Sequence, residues 1–116
     1  LLRVYIEEEV RMSLQLQSSY NKDLGQWELT AKGEVDISTA PQLREVLDGA
    51  YREVKADIFL RLDELTYIDS TGLGVIIGAF GRMQESKNRI TLINPKDNIK
   101  KLLSITNLDR ILCSEI

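Results

Sequence analysis

Histidine is missing from all 116 residues, and Cys113 is the one cysteine. The first absence excludes a Ser-His-Asp triad, a histidine general base and any imidazole metal site. The second excludes thiolate zinc sites and an internal disulfide, and it fits a reducing compartment, so a cytoplasmic location is expected. Cationic excess is also missing: 15 Lys and Arg stand against 18 Asp and Glu, a net charge of −3. A phosphate-tracking groove needs clustered Lys and Arg, so direct nucleic-acid binding is not expected. No apolar run reaches the ~18 residues of a membrane span. The opening Leu1-Leu2-Arg3-Val4-Tyr5-Ile6 is too short for a signal peptide and runs into Glu7-Glu8-Glu9.

With 43% apolar residues, the chain has enough material for one ordinary core. We read residues 1–11 as an upstream extension, a remnant or a processed end, and residues 12–116 as a single domain. Met12, Leu14 and Leu16 alternate with Ser13, Gln15 and Gln17, the period of a half-buried strand. After the turn-rich Asn21-Lys22-Asp23-Leu24-Gly25, a second alternation runs through Trp27, Leu29, Ala31 and Val35. A helix opens at Ser38-Thr39-Ala40-Pro41-Gln42, where Thr39 and Gln42 have capping-box spacing. Its buried stripe is Leu43, Val46, Leu47, Ala50 and Val54. Asp57 to Leu62 reads as a central strand. A second helix runs from near Ser70 to about Ser86, with Leu73, Ile76, Ile77, Phe80 and Met83 facing the core. Arg89 to Asn94 is a fourth strand, and Ile99, Leu102, Leu103 and Thr106 mark a third helix. Ile111-Leu112-Cys113 is expected as a short last strand. The order ββαβαβα(β) predicts an α/β fold: a small mixed sheet of four to five strands with helices packed on one face.

The stretch from Tyr67 to Gly81 follows a strand and opens a helix, where ligand sites in such sheets often lie. Gly72, Gly74 and Gly78 are spaced one residue too long for a dinucleotide fingerprint. The next strand ends at Asn94 rather than at an acid that could hold a ribose. A phosphate loop would need a lysine. Asp69-Ser70-Thr71-Gly72 has an extra residue relative to the aspartic-protease motif, and a partner would have to supply the second carboxylate. No catalytic residue, cofactor or metal ligand is therefore assigned, and an enzyme is not expected. Asp69, Ser70 and Thr71 are each competent to cap the helix, two more than a start requires. Gly74, Gly78 and Gly81 share a face about 100° from the core stripe, and each interior glycine costs about 1 kcal/mol against alanine. Close backbone approach by a neighbour would explain them, whether a helix of the same domain or one of a partner. Phosphate on Ser70 would add about −1.5 to −2 charges where helix-end amides tolerate an anion. Such a group could repel a partner without unfolding the domain.

Two segments, Gly33-Glu34-Val35-Asp36 leading into Ala40-Pro41-Gln42-Leu43-Arg44, and Tyr67-Ile68-Asp69-Ser70-Thr71-Gly72-Leu73-Gly74-Val75, resemble those of STAS domains. The likeness runs from about Ser13 to Ser114 and is greatest to the stand-alone anti-sigma factor antagonists of bacteria. It implies a partner-switching regulator of the kind used in stress response and sporulation. The unphosphorylated form would bind an anti-sigma factor with serine kinase activity and free a sigma factor for transcription. That kinase would phosphorylate Ser70, and a serine phosphatase would reverse the modification. By the same resemblance Asp36, Asp69, Thr71, Gly72 and Gly74 lie at the partner-binding surface, although Asp36 also suits a turn or cap. Other roles within the resemblance are a scaffold subunit of a stress-sensing assembly and an accessory of a lipid or anion transporter. A weak homodimer through residues 1–11 is a further expectation.

Overall fold

A computed structural model describes residues 13–113, so the readings placed on residues 1–11 and on Met12 lie outside the described residues. Strand β1 (Leu14–Asn21) and strand β2 (Gln26–Val35) pair antiparallel. Their turn closes through Gly25, whose φ of 65° a side chain would disfavour. Helix α1 (Ala40–Glu53) returns the chain to strand β3 (Asp57–Ile68), which lies parallel to β2. Helix α2 (Ser70–Gln84) leads to strand β4 (Ile90–Ile93), parallel to β3. Helices α3 (Asp97–Ile105) and α4 (Asp109–Leu112) complete the described chain. The sheet order is β1-β2-β3-β4.

One sheet face is dry and the other wet. Trp27, Leu29 and Ala31 of β2, Ile58, Leu60 and Leu62 of β3, and Ile90 and Leu92 of β4 are buried against helix residues such as Leu43, Leu47, Ile76, Met83 and Leu103. Glu28, Lys32, Arg61 and Asp63 alternate onto the solvent face. Helices thus cover one side of a mixed four-stranded sheet, as the element order predicts. The Trp27 indole N–H donates to the Val54 carbonyl at 2.9 Å, tying the end of α1 to the start of β2.

Four expectations require correction. Ile111-Leu112-Cys113 is not a strand: Ile111 and Leu112 lie in α4, where their N–H groups donate to the Leu108 carbonyl, and Leu112 is buried. Strand β3 does not stop at Leu62 but continues to Ile68. Two register shifts against β2, between Thr30 and Lys32 and between Gly33 and Glu34, reset its in-and-out alternation. Leu62 and Leu65 therefore both face the core despite their odd spacing. Ile77 is 42% exposed, and the smaller Ala79 occupies the core face of α2 in its place. The Thr39–Gln42 capping box does not form. Thr39 is fully buried, and its hydroxyl donates to the Glu34 carbonyl at 2.9 Å and accepts from the Asp36 N–H at 2.9 Å.

Candidate functional site at the ends of β2 and β3

Parallel pairing places two acids side by side. Val35 and Ile68 are register partners at the carboxyl ends of β2 and β3, and the next residues are Asp36 and Asp69. The Asp69 N–H donates back to the Val35 carbonyl at 3.2 Å, which fastens the two strand exits together. Helices α1 and α2 start just beyond, so both present their amino-terminal ends near these carboxylates.

The Asp36 carboxylate organises its own loop. Its Oδ1 accepts the Ser38 hydroxyl at 2.7 Å, the Ser38 N–H at 2.9 Å and the Thr39 N–H at 3.1 Å. The Ser38 hydroxyl is the largest influence and holds the carboxyl below its ordinary value of 3.8. Desolvation opposes it, and the Ser38 and Thr39 groups add to the lowering. A depressed acid supports the native loop above the unfolded value and loses that support as pH falls through the folded value. NMR titration of Asp36 is therefore expected to give a midpoint below 3.8 that moves upward in Ser38→Ala. An unchanged midpoint in the variant would remove the hydroxyl as the cause.

Helix α2 begins with a division of roles. Asp69, in extended backbone, is the cap, and its Oδ1 accepts the Gly72 N–H at 3.1 Å. Its carbonyl accepts the Leu73 N–H at 3.0 Å. Ser70 is the first helical residue and is exposed, and its hydroxyl has no hydrogen bond among the described residues. The N–H groups of Ser70 and Thr71 likewise have no acceptor among them, leaving two amides at the positive end of the helix dipole. Of the three residues competent to cap, Asp69 caps, whereas Ser70 and Thr71 stand in solvent.

The remaining expected site residues separate by burial. Gly72 lies beneath the surface: a Cβ there would sit 2.6 Å from Val35 Cγ1 and 2.7 Å from Ile68 Cγ1. The close backbone approach expected at Gly74, Gly78 and Gly81 is not made by the described residues: a Cβ at Gly78 meets only the end of the Arg82 side chain, at 3.3 Å. Gly74 and Gly81 are exposed, with nothing among the described residues beyond the helix's own neighbouring backbone within 4 Å of an added Cβ, so no described helix packs on them. Ser70, Gly74, Ile77 and Gly81 recur at i, i+4, i+7 and i+11 and form one exposed stripe of α2. Composition did not single out Ile37, 76% exposed, or Tyr67, 46% exposed, as surface residues flanking Asp36 and Ile68. Their signal was position alone, since each adjoins one of the two motif segments.

Among the described residues no group of three or more His, Cys, Asp or Glu could hold a metal ion. No helix among them is long and apolar enough to cross a membrane.

Comparison with known proteins places this geometry. The model of the STAS domain matches residues 22–116. The anti-sigma-B factor antagonist of Listeria monocytogenes is 37% identical over 93 residues, covering 78% of this chain and 80% of its own. A crystal structure of a candidate anti-sigma factor antagonist from Thermotoga maritima superposes with a TM-score of 0.75 at 27% identity, over 90% of this chain and 87% of that one. The fold is also that of the Bacillus cell fate determinant SpoIIAA. Its unphosphorylated form gives a TM-score of 0.70 at 21% identity, over 89% of this chain and 88% of that one. Its phosphorylated form gives 0.66 at 20%, over 89% and 91%. The chain belongs to the STAS domain family.

Proposed function

We propose that this protein is an anti-sigma factor antagonist that works by partner switching, with Ser70 as its phosphoacceptor. The observation that carries this reading is the exposed Ser70 hydroxyl at the first position of α2, released from capping by Asp69. Support comes also from the 37% identity to a protein named an anti-sigma-B factor antagonist.

In the unmodified state, the exposed stripe Ser70-Gly74-Ile77-Gly81, Thr71 and the Asp36 loop form the docking surface for an anti-sigma factor with serine kinase activity. Glycines at Gly74 and Gly81 give up about 1 kcal/mol each against alanine, yet nothing among the described residues fills the space they leave. A partner backbone approaching α2 closely would make use of that space. Gly72 serves the surface from below by letting α2 sit directly on Val35 and Ile68.

The kinase transfers the γ-phosphoryl group of ATP to Ser70 Oγ, releasing ADP and the hydroxyl proton. The new dianion faces the free amides of Ser70 and Thr71 and lies next to Asp69, so the helix accepts it while the docking surface turns strongly negative. A serine phosphatase restores the hydroxyl by hydrolysis to inorganic phosphate. The protein itself performs no chemistry in this cycle; it acts in the cytoplasm and requires no cofactor. Weak homodimerisation belongs to the same reading as a secondary association.

Incubation with a kinase-type anti-sigma factor and ATP should place one phosphate per chain, mapped by mass spectrometry to Ser70 and lost in Ser70→Ala. Phosphate at another residue, or full labelling of the alanine variant, would sink the assignment.

A further inference from the structure

Helices α1 and α2 enclose a groove of about 360 Å³ on their outward side, away from the Ser70 end. Leu47, Tyr51, Ala79 and Met83 form its apolar floor. Arg52 in the last turn of α1 and Lys55 just beyond that helix stand on one wall, and Arg82 of α2 on the other. A second depression of about 290 Å³ continues along α1 past Arg44 to Pro41 and shares Asp48 and Arg52 with the first. Together they follow α1 from Pro41 to Arg52, roughly 17 Å at the helical rise, and reach Lys55 just past its end.

The charges along this track run against those of the whole chain. Arg44, Arg52, Lys55 and Arg82 outnumber Glu45 and Asp48, whereas the chain is −3 overall. Asp48 accepts both Arg82, at 2.8 Å, and Arg44, at 3.5 Å. Arg52 and Lys55 have no ion-pair partner among the described residues and are exposed. Two cations thus remain unneutralised beside an apolar floor.

We propose that this groove is a docking track for an extended acidic segment of a partner protein, with an apolar side chain set between carboxylates. The apolar side chain rests on the half-buried Tyr51, above the buried Leu47 and Met83, and carboxylates meet the unpaired Arg52 and Lys55. The length of the track favours a peptide over a compact anion. Glu45 and Asp48 within it disfavour the phosphate rows of a nucleic acid or a membrane surface. Arg82 lies about 18 Å along α2 from Ser70, so charge at the phosphoacceptor is largely screened from a segment held here. The inference goes beyond the reading of Ser70 and stands without it.

The test is fluorescence anisotropy with the full chain and a fluorescein-labelled octapeptide, Glu-Glu-Leu-Glu-Glu-Leu-Glu-Glu. Saturable one-to-one binding is expected, at least about fivefold weaker for the double variant Arg52→Ser, Lys55→Ser, the scale of two surface ion pairs. A peptide with both leucines changed to serine should weaken similarly. Ser70→Asp should bind the octapeptide as the parent does, which separates this site from the phosphoacceptor. Equal binding by the double variant, equal binding of the serine peptide, or no saturation by about 1 mM peptide would each overturn the proposal. So would retention on phosphatidylglycerol vesicles that depends on Arg52 and Lys55 without peptide binding.

Discussion

Ser70→Asp is expected to weaken binding to a kinase-type anti-sigma factor by roughly thirty- to hundredfold, while Ser70→Ala binds about as the parent does. The effect is electrostatic. A carboxylate at Ser70 that meets like charge about 6–8 Å away across a contact costs about 2–3 kcal/mol at an effective dielectric of about 20. Each 1.4 kcal/mol is about tenfold in affinity. The fold should not share in the loss, because the Gly72 N–H is held by Asp69 and not by Ser70. Titration calorimetry and a thermal melt read the two quantities separately. Undiminished affinity in Ser70→Asp would remove Ser70 from the contact. A large fall in melting temperature would show instead that the residue is structural.

Gly33→Ala should be the most damaging small substitution in the domain, lowering stability by about 3–5 kcal/mol. Gly33 has a φ of 110°, which an L side chain rarely adopts, and an added Cβ would run into the Ser13 carbonyl. That carbonyl already accepts the Glu34 N–H at 2.6 Å, so the edge strand cannot move aside without breaking this bond. Gly72→Ala should cost about 1–3 kcal/mol, since Val35 and Ile68 must yield but the backbone is helical. Gly81→Ala, with open space around it, should be neutral or stabilising by up to about 1 kcal/mol. On the usual scale the Gly33 variant melts at least about 10 °C lower. A melting temperature within about 3 °C of the parent would mean that β1 adjusts freely, contrary to the packing described.

Much of the architecture is written in simple periods. The alternation from Trp27 to Val35 and the i, i+3, i+4 pattern of Ile99, Leu102 and Leu103 correspond to β2 and α3 because one face of each element meets one core. The misreadings have separate causes. The end of β3 is irregular because β2 imposes two register shifts on it. Thr39 has the residue type of a cap, but the carbonyl of Glu34 and the amide of Asp36 claim its hydroxyl first. Ile77 reads as part of the core stripe at i+4 from Leu73, but it falls on the outer edge of α2, and Ala79 joins Leu73, Ile76 and Met83 on the inner surface instead. Three apolar residues at 111–113 are too few for either period to decide. At the site, the motif Asp69-Ser70-Thr71 located the helix start. Which of the three capped it depended on backbone geometry, with Asp69 extended and Ser70 already helical.

Because the neighbouring aspartate already closes the first turn of α2, the hydroxyl beside it contributes no bond that folding relies on. A modifying enzyme can reach it without waiting for any part of the chain to open. Under the role proposed for Ser70, the rate of signalling is set by how often enzyme and substrate meet and by their turnover, and a sturdier or weaker domain would respond to its signal at the same speed.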